Sequence, residues 1–275
     1  MSRRTEEFLK AFYADQPFPH ETMKENEEEE IEESILPVVS QKRRQSVSKR
    51  TFISLGIVFL GILLVLVIMP KLGSRNYLTA SLLLLGLAML PFFIVFENRK
   101  PQARELIILA VLIALAVAGR GAFFMLPQVK PVAAIVIITG IAFGPESGFL
   151  VGCFTALVSN IFFSQGPWTP WQMFAFGMIG FIAGLLYRWG LLKKNRWSLA
   201  LFGFFSIFFI YGGIMNPASV LLFMPTLNKD ILLAAFISGA PMDLIHGIST
   251  AVFLLLFANP FLEKLQRVKQ KYGLL

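Results

Sequence analysis

The sequence predicts an all-α integral membrane protein, and three observations carry that prediction. Of its 275 residues 56% are hydrophobic and only 15% charged, against about 25% charged in an average soluble domain; the mean hydropathy is +0.67. Apolar runs close to the length of a membrane span recur along the chain from Thr51 onward. Charge is unevenly spread: residues 1–50 hold 9 Lys/Arg and 11 Asp/Glu, whereas residues 51–275 hold 16 and 6. A basic excess of that kind reports topology rather than a nucleic-acid partner.

The elements follow in order. Residues 1–50 form a charged tail with no signal peptide, because "ENEEEEIEE" is the opposite of a basic start followed by an apolar run. The acidic part is expected to be solvated, and the basic "QKRRQSVSKR" to mark the cytoplasmic side. Clear spans are expected at Thr51–Met69, Leu78–Phe96, Glu105–Ala118, Gly148–Phe163, Trp171–Tyr187, Leu199–Met215 and Ile231–Leu256. An eighth, Val132–Phe143, offers only 12 residues, roughly 18 Å of helix, and on length alone could be re-entrant. Charge decides for eight: with the N-terminus inside, the inner segments hold 16 Lys/Arg and the outer ones 5. The short span is expected to lengthen into the Pro-containing segment before it. Both termini are then cytoplasmic, and the basic end, 266–275, is a short tail.

Several function classes lack their motifs. The chain has no G-x-x-x-x-G-K-[ST] loop, no H-E-x-x-H and no Cys/His cluster. No metal, cofactor or enzymatic activity is expected. The single cysteine, Cys153, lies in an apolar run and reads as a small hydrophobe.

Candidate site residues concentrate towards the predicted outer side. Asp243 and His246 in "SGAPMDLIHGIS" stand i,i+3 on one helix face beside Pro241. Ionisable groups within a span are costly, so they are either a ligand contact or a polar pair that locks two helices. Asn160, Gln165, Gln172, Tyr211 and Asn216 fall at a similar depth, and amides that donate and accept suit a neutral, carbonyl-rich ligand. Trp168 and Trp171 sit with Pro167 and Pro170 in "SQGPWTPWQ", read either as interfacial anchors or as a stiff lid over a pocket. Ala110, Ala114 and Ala118 recur every four residues, a stripe that lets another helix approach closely.

These features together resemble the substrate-binding S components of energy-coupling factor (ECF) transporters. The resemblance covers about residues 101–265. It rests on the alanine stripe, on the outer loop "GRGAFFMLPQVKP", on the small residues of "IITGIAFGPESGFLVG" and on "SQGPWTPWQ". It implies a six-helix substrate-binding core, with two extra N-terminal spans in residues 51–100 that depart from the family's pattern. It implies a vitamin-like ligand captured from outside and partners in a membrane T component and two ATPase subunits, with Ala110, Ala114 and Ala118 facing the T component. Loops around Phe124, Trp168 and Phe223 would close over the ligand, adding Arg120 and Phe124 to the substrate-binding set. "GPWTPWQ" followed by "MFAFGMIGFIAGLL" is most similar to S components assigned to cobalamin. Two other classes stay open from the residues themselves: a self-sufficient secondary transporter using Asp243 and His246, and, more weakly, an intramembrane enzyme with that pair as acid and base.

Overall fold

The computed structural model describes residues 53, 77–98, 101–224 and 228–274. The charged tail and the expected span Thr51–Met69, apart from Ile53, lie outside the described residues. Where described, the chain is helical: α1 (Tyr77–Asn98), α2 (Ala103–Ala122), α3 (Val132–Phe143), α4 (Pro145–Phe163), α5 (Thr169–Arg188), α6 (Arg196–Ser206), a π-helical turn (Ile207–Gly212), α7 (Gly213–Phe223) and α8 (Lys229–Lys271). Among the described residues, five stretches are long and apolar enough to cross a membrane: α2, α4, α5, the continuous run Arg196–Phe223, and α8.

Five of the expected spans coincide with these stretches, with ends that shift for physical reasons. The span expected at Leu199–Met215 runs on to Phe223 because the π-helical turn and the helix after it continue the same rod. Pro217 sits in the first turns of α7, directly after the widened turn, where a missing N–H is least disruptive. α8 does not stop at Leu256: it runs for 43 residues through Pro241 and Pro260, so the expected tail is mostly its last turns. Its buried residues His246, Thr250, Leu254, Ala258 and Leu262 recur every fourth position, the stripe that faces one side of a helix. Asn228 caps its start, accepting from the Ile231 N–H at 2.8 Å. Lys269 and Lys271 close its end, where the helix dipole favours cations.

α3 corrects one expectation. It does not lengthen into the segment before it but begins at Val132, with Pro131 immediately outside. Eleven of its twelve residues are buried, packed among α2, α4, α5 and α8. A helix enclosed by protein need not match the thickness of the hydrocarbon, because no lipid meets its ends. Gly144 then reverses the chain at φ 100°, a conformation open to glycine at no steric cost, and α4 starts at Pro145.

Close approach of α3, α4 and α5 depends on glycine. A Cβ on Gly148 would lie 2.6 Å from the Gly180 carbonyl oxygen, and one on Gly184 would lie 2.6 Å from that of Gly140. Such small-residue contacts let helices gain dispersion energy where water supplies little drive to associate. The first described helix docks on the outside of this pair. Leu85 and Met89 of α1 pack with Phe149 and Cys153 of α4, joined by Trp171, Phe174 and Phe181 of α5. Phe92 stacks on Phe149 at 3.8 Å and meets Phe181 edge-on at 4.9 Å. Cys153 is buried and free, as its apolar run predicts.

Candidate substrate-binding site

The helices bring one end of α2, α4, α5, α7 and α8 together, and most of the sequence-predicted residues meet there. Arg120, in the last turn of α2, donates through Nη1 to Ser159 Oγ at 2.6 Å and to Asn160 Oδ1 at 2.7 Å. Asn160, fully buried on α4, donates through Nδ2 to Thr169 Oγ1 at 2.9 Å and to Gln172 Oε1 at 2.7 Å. Thr169 Oγ1 donates to Gln165 Oε1 at 3.1 Å. Gln172 Nε2 reaches Tyr211 Oη at 3.4 Å. Four helical segments are thus tied by one chain of side chains: Arg120, Asn160, Gln172 and Tyr211. Buried polar groups need such partners, and a connected network fixes every member's rotamer.

His246 adjoins this chain without bonding to it. Its ring meets Tyr211 edge-on at 5.0 Å and Phe176 at 6.1 Å. It is 2% exposed, and neither ring nitrogen has a hydrogen-bond partner among the described residues. The i,i+3 spacing to Asp243 does not produce a pair. Asp243 Oδ2 instead accepts from Asn216 Nδ2 at 3.0 Å, next to Gly212 at the end of the π-helical turn. That turn is what places Tyr211 towards α5 and His246 while Asn216 engages Asp243, and wide turns of this kind are frequent at functional sites.

The aromatic loop residues divide. Phe124 stacks on Phe163 at 5.2 Å, and the Arg120 guanidinium lies 5.7 Å from the centre of the same Phe163 ring. Trp168 folds over Gly166 and comes within 6.4 Å of Phe223, so two of the expected closing loops touch. Trp171 does not join them. One residue along a helix is a rotation of about 100°, and Trp171 faces the α1 contact while Gln172 faces Asn160. Trp171 therefore stands outside the polar chain with which the sequence grouped it.

Sequence reasoning missed three members. Ser159 and Thr169 flank predicted residues and complete the network. Lys130 sits in the loop before α3, its backbone N–H donating to Ser249 Oγ at 3.1 Å, and its ammonium lies in the fields of both Arg120 and His246. Burial first, and then the Arg120 charge, lower the Lys130 pKa below its ordinary value. The signal was present in "GRGAFFMLPQVKP", where two cations interrupt an apolar outer loop.

The alanine stripe behaves differently from everything around it. Ala110, Ala114 and Ala118 are exposed, together with Ile107, Val111 and Leu115. Glu105, Leu109, Leu112 and Ala116 form the buried face of the same helix. Among the described residues, the stripe lies on the uncovered face of α2 and not within the bundle.

A family model for the ECF transporter substrate-specific component matches residues 104–257. A UPF0397 protein of Aliivibrio fischeri (strain MJ11) is 27% identical over 167 residues, covering 58% of this chain and 75% of that protein. UPF0397 proteins of Vibrio atlanticus (strain LGP32) and Aliivibrio salmonicida (strain LFI1238) are each 30% identical, over 34% and 37% of this chain and 53% and 56% of theirs. No solved structure matches. The matched segment starts at the first turn of α2 and ends within α8, so it encloses the polar network and the alanine stripe and leaves α1 outside. With a family match over more than half its length and a bundle of membrane-length apolar helices, this chain belongs to the substrate-specific components of ECF transporters.

Proposed function

We propose that the chain captures a vitamin-like micronutrient from outside the cell and presents it to a membrane T component and two ATPase subunits. The observation that carries this reading is the polar network of Arg120, Asn160, Gln172 and Tyr211, set at one end of a family-matched bundle beneath the Trp168–Phe223 contact. In this reading that end is the outer one and both termini are cytoplasmic, which agrees with the 16 to 5 division of Lys/Arg. Arg120, Phe124, Asn160, Gln165, Trp168, Gln172, Tyr211, Asn216, Asp243 and His246 line or support the ligand site. Trp168 acts as its lid.

Ala110, Ala114 and Ala118 form the face for the T component, supported by their exposure on α2. Cobalamin is the favoured cargo, supported by the aromatic and amide character of the loops. The secondary-transporter alternative loses its motivating feature, since Asp243 bonds Asn216 rather than His246.

Mass spectrometry of small molecules retained by the detergent-purified protein tests the capture reading. A corrinoid near one per chain is the expected result. Another vitamin would keep capture and remove cobalamin, and a protein that retains nothing and is stabilised by no vitamin would contradict capture. Ala114→Arg tests the partner face: ligand retention unchanged, and uptake in cells with the T component and ATPases reduced at least about tenfold, as expected if a bulky charge blocks close helix approach. Undiminished uptake would contradict that assignment.

A further inference from the structure

The polar groups at the site fall into two sets, those already satisfied by each other and those left over. Asn160 is engaged at both ends: its oxygen accepts from Arg120 and its nitrogen donates to both Thr169 and Gln172. Gln172 accepts from Asn160 and donates to Tyr211. The cationic groups left over are donors only. Arg120 uses only Nη1, so the donors on Nη2 and Nε make no hydrogen bond among the described residues. The Lys130 ammonium has no hydrogen bond or ion pair among them either. His246 has two free ring nitrogens, one of which carries a proton in the neutral ring.

The charge count points the same way. Arg120 and Lys130 lie close enough for one charge to act on the other, yet both of Arg120's partners are neutral. Of the acidic side chains at this end of the bundle, Asp243 bonds Asn216 beyond Tyr211 and Asp230 stands in the first turn of α8; neither forms an ion pair with Arg120 or Lys130 among the described residues. Two unneutralised cations near the membrane's apolar zone are costly. Arg120 also points inward, to the fully enclosed Ser159 and Asn160, and not away from the bundle towards headgroups. Resting on the capture reading above, we infer that the captured solute carries a carboxylate or phosphate group, received by Arg120 and Lys130 with His246 as a further donor. Arg120 supplies a planar fork suited to two oxygens of such a group, and Lys130 supplies a point charge from the facing loop. For a corrinoid cargo, the acceptor group is the phosphodiester of the nucleotide tail.

Matched probe pairs test this on the purified full chain: cyanocobalamin against dicyanocobinamide, pyridoxal 5′-phosphate against pyridoxal, pantothenate against pantothenol, and biotin against biotin amide. Equilibrium binding and thermal shift are read for each. The expected result is at least one pair whose anionic member binds about tenfold or more tightly, the size of one charge-assisted hydrogen bond. Lys130→Gln, which leaves the Arg120–Asn160 network in place, should remove most of that preference, and Arg120→Lys should keep part of it. Neutral members binding as well as anionic ones would overturn the inference and leave capture standing. A preference that survives both Lys130→Gln and Arg120→Gln would also overturn it. A chain that binds no member and retains no solute would overturn both readings. Nanodiscs of phosphatidylcholine with and without phosphatidylglycerol separate the other source of the same chemistry: stabilisation by phosphatidylglycerol that depends on Lys130, with no effect of the soluble anions, would assign the cations to lipid headgroups and overturn the inference.

Discussion

Two regions meet on α5 with opposite chemistry. On one side Gln172 joins Asn160 and Tyr211 in a chain of directional bonds. On the other, Trp171 and Phe181 close against α1 with Phe92, Phe149 and Met89. The polar side is specified by donor and acceptor count, so one lost group leaves a buried partner unsatisfied. The aromatic side is specified by ring packing, which tolerates substitution more gradually. The polar side lies wholly within the segment that defines the family, and the aromatic side fastens a helix that lies outside that segment. The accessory helix packs on α4 and α5, while the exposed alanine stripe lies on α2. In the proposed function α1 therefore accompanies the core and leaves the partner face uncovered.

The largest effect should come from removing what both regions depend on, the close α4–α5 approach. Gly148→Leu drives a side chain into the Gly180 carbonyl and the Gly140 backbone. It should cost about 3 kcal/mol or more and abolish a monodisperse species in size-exclusion chromatography. A normal elution profile would contradict the packing described. Asn160→Ala comes next. It strands Arg120 and Gln172 and should destabilise by about 1–3 kcal/mol, with loss of ligand retention in the same preparation. Retention at the wild-type level would place the site elsewhere.

A third experiment separates the two tryptophans. Trp168→Ala should weaken ligand binding with little change in thermal midpoint, whereas Trp171→Ala should lower the midpoint and leave affinity within about twofold, less than 1 kcal/mol. The reverse pattern would mean that the lid had been assigned to the wrong ring. The most local effect is expected from Phe92→Ala. It removes the stacked and edge-on contacts of α1, worth about 0.5–1.5 kcal/mol each beyond the area they bury. Hydrogen exchange should rise in α1 while α4 and α5 stay protected; equal loosening of all three would show that α1 is integral to the core.

Much of this arrangement was legible in the sequence, and the part that was not has a common cause. The mainly apolar run Val132–Phe143 between Pro131 and Gly144 was marked out, but it was expected to lengthen into the preceding segment, because its burial by α2, α4, α5 and α8 is not visible in the sequence. Asn160, Gln172 and Tyr211 were named from depth and polarity and Arg120 from the family resemblance, and the bundle does bring them together. Depth, however, says nothing about rotation. Trp171 and Gln172 share a depth yet point about 100° apart, and Asp243 and His246 share a helix face, yet Asp243 bonds Asn216 while His246 packs against the Tyr211 and Phe176 rings. Those outcomes depend on the π-helical turn at Ile207–Gly212 and on where α1 docks, neither of which leaves a periodic signal in an apolar run. Lys130 was passed over because a lone loop cation reads as a topology marker until Arg120 is seen beside it.

The central claim is capture without self-sufficient transport, and uptake into proteoliposomes tests it most directly. The solute retained by the purified protein is supplied outside vesicles that contain the chain alone, or the chain with the T component and ATPases and ATP within. The account predicts binding in both preparations and accumulation only in the second. Accumulation by the chain alone, without ATP, would contradict it.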